Sequence, residues 1–206
     1  MKRSLLMFVV AAVLIVGAIV GVSMMGGDGG NAKGRSGGPD TWDRETKKLV
    51  EQYHLAIEEQ LDKSNFAGAR LLAGEQIDRF PGDPQAYVYM TQAAMGQRQW
   101  PTAYDAATQA IQRDPKLHEM HFLAGVLSEK IGNPEAALGH YADAMEAYDS
   151  AAKYPLYRAN LLLKRNELDD AQLYALRVLR LDPTVPQAYA ILAEIAGRQN
   201  KLPMAL

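Results

Sequence analysis

The chain has 206 residues, 48% hydrophobic and 22% charged, and no cysteine. That balance excludes a chain disordered throughout, and the missing thiols exclude a disulfide scaffold, a thiolate zinc site, a cysteine nucleophile and a lipoprotein anchor. A net charge of −2 lacks the basic surplus of a nucleic-acid binder, so no nucleic-acid partner is expected.

Met1-Lys2-Arg3 forms a short basic head, and the run from Leu5 to Met25 carries no charge. About 20 apolar residues cross a bilayer core, and in lipid the backbone must satisfy its own polar groups as helix. Residues 1–25 are therefore expected to be a single-pass anchor, crossing the membrane through residues 5–25. A cleaved signal peptide is the competing reading, because Gly21-Val22-Ser23 would pass as a cleavage site. The apolar region of such a peptide normally runs to about 7–15 residues. Lys2 and Arg3 before the span are balanced by Lys33 and Arg35 after it, so charge does not fix the orientation. The order of basic head, apolar run and long following domain resembles a signal-anchor. That layout places the bulk of the chain outside the cytoplasm, in the periplasm if the source is bacterial.

Residues 26–40 are rich in glycine and read as a flexible tether. Within it, Gly29 to Ser36 spells G-x-x-x-x-G-R-S. A phosphate-binding loop needs lysine where Arg35 stands, a strand before it and a helix after it. Gly37-Gly38-Pro39 follows instead, and the tether reading prevails.

The remaining domain spans residues 41–206. Up to Gly38 the basic residues are Lys2, Arg3, Lys33 and Arg35 and the acidic one is Asp28, so most of the 22 basic and 24 acidic side chains lie beyond, with acid in excess. A polybasic grip on anionic lipid is not expected from such a balance. Ala69, Ala103, Ala137, Ala171 and Ala205 recur at one constant interval, and Pro81, Pro115 and Pro183 keep the same register, with Asp149 in the missing proline slot. A fixed period of about 34 residues marks a stacked repeat. Helical apolar spacing fills the intervals, as in Ala106, Ala107, Ala110 and Ile111. The pattern predicts helix pairs near 43–63/65–80, 84–97/100–113, 117–131/134–149 and 155–165/168–181, then a helix over 185–198. Asp40 or Thr41 is the expected cap of the first. Small residues such as Gly125 and Ala137 let paired helices approach, and a bulky replacement would overpack the crossing.

The period and the small residues resemble the tetratricopeptide repeat. The clearest unit starts at His118, where Ala124-Gly125, Gly132, Ala137, Tyr141 and Ala144 stand at the family's Leu-Gly, Gly, Ala, Phe and Ala. Position eight of the repeat is Ile57, Thr91, Gly125, Ala159 and Ala193, and the first-helix Trp is replaced by Tyr53, Tyr87, His121, Pro155 and Tyr189. The resemblance covers roughly residues 45–206. It implies an all-α fold, a right-handed α-solenoid of about four and a half helix-turn-helix repeats, with the fifth unit broken off at Leu206. It also implies that the first helix of each pair lines a concave groove. The family's inward positions fall on Glu51, His54 and Glu58; Gln85, Val88, Tyr89 and Gln92; Glu119, Phe122 and Val126; Lys153, Leu156, Tyr157 and Asn160; Gln187, Ala190 and Glu194. Tyr89, Gln92, Phe122, Val126, Lys153, Tyr157 and Asn160 form the expected partner-binding set. An apolar and aromatic centre with an amide rim suits an extended peptide or an amphipathic helix. Val88, Phe122, Val126 and Leu156 could equally pack between repeats. Some family members hold a terminal carboxylate with lysines and asparagines on successive first helices. Only Lys153 and Asn160 match here, so that mode is not expected.

No catalytic residue, metal or cofactor is expected. His118-Glu119-Met120-His121 brings its second histidine one residue early for a zinc-protease helix, and no third ligand is evident. Glu58-Glu59 and Asp169-Asp170 are adjacent pairs that project from different sides of a helix. The expected function is a membrane-tethered adaptor or scaffold that binds a protein or peptide partner, assisting assembly or secretion at the cell envelope. A short flexible tether raises the effective concentration of such a partner toward mM. The alternative is a homo-oligomer stacking through the uncapped fifth unit, and an enzyme ranks last.

Overall fold

The computed structural model describes residues 37–199. The expected span over residues 5–25, Ala205 and most of the tether lie outside them, and no helix among the described residues is long and apolar enough to cross a membrane. Nine α-helices follow one another among the described residues: α1 (Arg44–Asp62), α2 (Phe66–Arg79), α3 (Pro84–Gly96), α4 (Trp100–Arg113), α5 (His118–Lys130), α6 (Pro134–Ala147), α7 (Lys153–Lys164), α8 (Leu168–Leu181) and α9 (Pro186–Arg198). Each packs against the next, while α1 also meets α3 and α7 meets α9. Sequential helical hairpins thus stack, with the odd-numbered helices as the first member of each pair.

The alanine register explains the close stacking. Ala69, Ala103, Ala137 and Ala171 are each fully buried. Proline removes the helical option from the residue before it, and α2, α4 and α8 end at Arg79, Arg113 and Leu181, shortly before Pro81, Pro115 and Pro183. The third-to-fourth junction, which lacks that proline, is displaced from expectation. Helix α6 stops at Ala147, and α7 begins at Lys153 rather than 155. Pro155 sits in the first turn of α7, where its missing N–H has no intrahelical partner to lose.

The cap of α1 is neither Asp40 nor Thr41. Pro39–Thr41 form a short 3-10 turn, and the Asp43 carboxylate accepts from the Thr46 amide at 2.7 Å. The turn seats Trp42 in the core, 6.0 Å from the Phe80 ring, with its indole N–H donating to Gly37 O at 2.8 Å.

The turns inside the hairpins repeat as well. Ser64, Arg98, Gly132 and Asn166 hold the same slot in successive units, and all take positive φ, at 55°, 57°, 83° and 62°. A left-handed residue follows each of these four first helices, and among them only unit three fills the slot with glycine, the residue that bears no Cβ penalty there. Asn65 and Asn133, next in the chain after Ser64 and Gly132, cap α2 and α6 through the amides of Gly68 and Ala136. Gln99 and Glu167 hold the equivalent slots without a side-chain cap.

One buried polar cluster joins the first two units. Asp83, at the start of α3, accepts from the Gln76 amide of α2 and the Gln85 backbone N–H, and lies 2.8 Å from His54 Nε2 of α1. Buried polar groups persist only when such partners replace water.

Candidate functional site

The expected groove residues divide into three groups. Tyr89 on α3 is only 4% exposed. Its hydroxyl donates to Glu58 Oε1 of α1 at 2.5 Å, and its ring meets His54 edge-on at 5.3 Å. Burial, then the Glu58 hydrogen bond, push its phenol well above the ordinary tyrosine range. Tyr89 therefore stitches α1 to α3.

Phe122, Val126, Lys153 and Tyr157 come together at the junction of units three and four. Phe122 is 9% exposed, and the rings of Tyr141, Tyr154 and Tyr157 surround it at centroid distances of 6.0, 5.4 and 4.8 Å. The Tyr157 ring stands at 89° to Phe122, an edge-to-face contact worth about 0.5–1.5 kcal/mol beyond area burial. Val126 packs on the same cluster, half-buried. Lys153 Nζ sits 5.0 Å from the Phe122 centroid and pairs with both Glu119 carboxylate oxygens at 2.6 and 2.8 Å. Tyr157 remains 41% exposed.

Gln92 and Asn160 form the third group and stay at the surface. On α7, Lys153, Tyr157, Asn160 and Lys164 follow at helical intervals and share one exposed face. Lys164 pairs with Glu129 of α5 at 3.2 Å, a second rung beside Lys153–Glu119. Burial raises the Glu119 carboxyl, but the hydrogen bonds from Lys153 and Tyr154 outweigh it and hold the group below the usual carboxylate range. Burial, then Glu119, push the Tyr154 phenol up; burial and the Glu129 hydrogen bond do the same to Tyr141.

Sequence reasoning missed how much of this junction is aromatic. Tyr154 and Tyr141 are fully buried, and His118 stacks on Tyr148 at 4.8 Å while its Nδ1 lies 2.5 Å from the Tyr154 hydroxyl. The signal was present in Tyr148, Tyr154 and Tyr157, crowded where the register loses its proline. His118 and His121 do not converge, since His121 turns to Pro115 O and Asp143. A cleft of about 360 Å³ lies on the second helix α8, lined by Leu173, Tyr174, Leu176, Arg177 and Arg180. It is no part of the first-helix face.

No family model matches the chain, and no curated protein matches its sequence. Solved structures do. A crystal structure of MamA protein is 14% identical, covering 75% of this chain and 84% of that chain at a TM-score of 0.71. YrrB, described as a TPR protein with an unusual peptide-binding site, is 15% identical over 77% of this chain and 84% of its own, with a TM-score of 0.66. The first TPR of Spaghetti (RPAP3), bound to the HSP90 peptide SRMEEVD, is 18% identical over 57% and 93%, with a TM-score of 0.54. At such identities the similarity concerns architecture alone, and the described helices have the fold of tetratricopeptide-repeat proteins.

Proposed function

We propose that the chain is a membrane-tethered adaptor that docks an extended segment of a partner protein along its first-helix face, in assembly or secretion at the cell envelope. The observation that carries this reading is the α7 stripe. It offers a half-exposed phenol, Tyr157, between the cation Lys153 and the amide Asn160. An extended peptide backbone offers carbonyls and N–H groups to such an amide, and an apolar side chain to such a ring. YrrB and RPAP3, which share the fold, are described with a peptide-binding site and a bound peptide. The uncharged run over residues 5–25 supports the tether and the extracytoplasmic placement.

The test is photo-crosslinking in native membranes from position 157, with position 71 on α2 as the control. A single protein captured from 157 and not from 71 is expected. Tyr157→Ala with Asn160→Ala should then weaken that partner at least tenfold while the variant stays folded by circular dichroism at the assay temperature, its thermal midpoint lowered only by the lost Phe122 contact. Equal capture from both positions would remove the reading. Glutamate at Tyr89 or Phe122 is unsuitable, because both side chains are buried and a lone charge there would unfold the unit.

Self-association is the second reading. Leu173 and Leu176 are 61% and 50% exposed on α8, and Leu176 borders a cleft shared with Leu192, Ile195 and Ala196 of α9. Light scattering that finds one chain per particle at high concentration would exclude it.

A further inference from the structure

Unit three departs from units one and two at a first-helix aromatic position. Tyr53 and Tyr87 share their register with His121, and each receives an arginine from the end of its own hairpin: Arg79 reaches the Tyr53 hydroxyl at 3.1 Å and Arg113 the Tyr87 hydroxyl at 2.7 Å. Ala147 fills the arginine slot in unit three and offers no cation to His121.

The imidazole nonetheless keeps a bond repeated along the stack. Tyr87 and Tyr189 donate to Pro81 O and Pro183 O at 3.3 and 3.1 Å, and His121 Nε2 lies 3.0 Å from Pro115 O. A carbonyl only accepts, so Nε2 carries the proton and Nδ1 bears the lone pair. That Nδ1 is buried without a hydrogen-bond partner in a side chain that is 9% exposed overall. It stands 3.7 Å from the Asp143 carboxylate of α6, too far for a hydrogen bond.

His140, one turn before Asp143, occupies the place that Ala106 holds in unit two. Its Nε2 approaches the Tyr104 hydroxyl of α4 at 3.3 Å, and its Nδ1 is likewise buried and unpartnered. One ligand atom from each of His121, His140 and Asp143 lies within 4.8 Å of the others.

We propose that His121, His140 and Asp143 form a binding site for a divalent transition-metal ion of the zinc type. Two imidazoles and one carboxylate are a zinc donor set, whereas calcium and magnesium favour oxygen ligands alone. Bonds of about 2.0–2.1 Å place tetrahedral ligand atoms about 3.3 Å apart. The 3.7 Å between His121 Nδ1 and the Asp143 carboxylate is already close to that spacing, and the exposed Asp143 side chain has room to move. Pro115 O and the Tyr104 hydroxyl orient the two rings from behind, as outer partners of metal-bound imidazoles do. The ion would clasp α5 to α6 beside α4, with its fourth position open to water or to a partner's side chain. The sequence expectation of no metal rested on pairing His118 with His121; the third ligand and the second histidine come from α6 instead.

The experiment is calorimetric titration of the full-length chain, kept in detergent and freed of metal, with zinc chloride alone. One ion per chain is expected. His140→Gln and Asp143→Asn should each weaken binding at least tenfold, whereas His118→Gln should leave it unchanged. Cobalt in place of zinc should give the intense visible band of a low-coordinate ion. Absence of saturable one-to-one binding in the wild-type chain would overturn the proposal, whatever the variants do. Affinity unchanged in both variants, with folding checked by circular dichroism, would overturn it as well.

Discussion

Gly125 on α5 lies so close to Tyr141 on α6 that a Cβ built on the glycine would stand 2.5 Å from Tyr141 Cε1. The other described units carry Ile57, Thr91 and Ala159 at the first of these positions and Ala73, Ala107 and Ala175 at the second. Unit three has moved its bulk from the first helix to the second, and the glycine makes room for the ring. Gly125→Ala should therefore destabilise the protein by about 1–3 kcal/mol through overpacking. Tyr141→Ala should cost about 3 kcal/mol or more through the cavity it opens and the hydrogen bond to Glu129 it removes. The double variant should fall short of the sum by about 1 kcal/mol or more, since the clash vanishes with the ring. Equilibrium urea unfolding of the four proteins measures this, and additivity would mean that the two residues are not in contact.

The left-handed turn residues make a prediction of opposite signs. A Cβ at Gly132 would meet nothing within 4 Å, yet its φ of +83° strains any side chain. Gly132→Ala should cost about 1 kcal/mol. Arg98 already bears that strain at +57° on an exposed turn. Arg98→Gly relieves it, and the entropy regained by the unfolded chain offsets part of the gain. A net stabilisation of a few tenths of a kcal/mol is expected. Thermal midpoints that move in the same direction for both substitutions would contradict the assignment.

The Glu119–Lys153 pair has a pH signature. Because the folded state lowers the Glu119 pKa, the unfolded chain takes up its proton first as the pH drops. The contribution of Glu119 is thus complete above the ordinary glutamate value of about 4.3 and is lost as the pH falls through the lower, folded one. Both side chains are close to half exposed, so solvent screening keeps the effect under about 1 kcal/mol. Wild type should exceed Glu119→Gln in urea midpoint at pH 7, with the gap narrowing below about pH 4. A gap that widened on acidification would reverse the sign of the argument.

The helices were legible because their determinants are local. Alanine, proline and turn residues repeat in one register, and Pro134 and Asn133 announce the start of α6 without any tertiary information. The exposed face of the first helices was less so. Tyr89 and Phe122 lie on the same expected inward face as Tyr157, yet neighbouring helices bury the first two and leave the third half open. That outcome depends on the size of side chains one unit away, which a repeat period does not encode. The conjunction of His121 with His140 and Asp143 was hidden for a related reason. It crosses from α5 to α6, and the two histidines stand too far apart in the chain to spell a motif of their own.

Asp83, held by His54 and Gln76, bears on how such a chain assembles. Units built from interchangeable alanine surfaces risk stacking on the wrong neighbour, within one molecule or between two. A buried carboxylate satisfied by side chains of the preceding hairpin penalises every mismatched pairing, because there it would lie dry and unanswered. The first interface thus carries an address, and the order of the remaining hairpins can be counted from it.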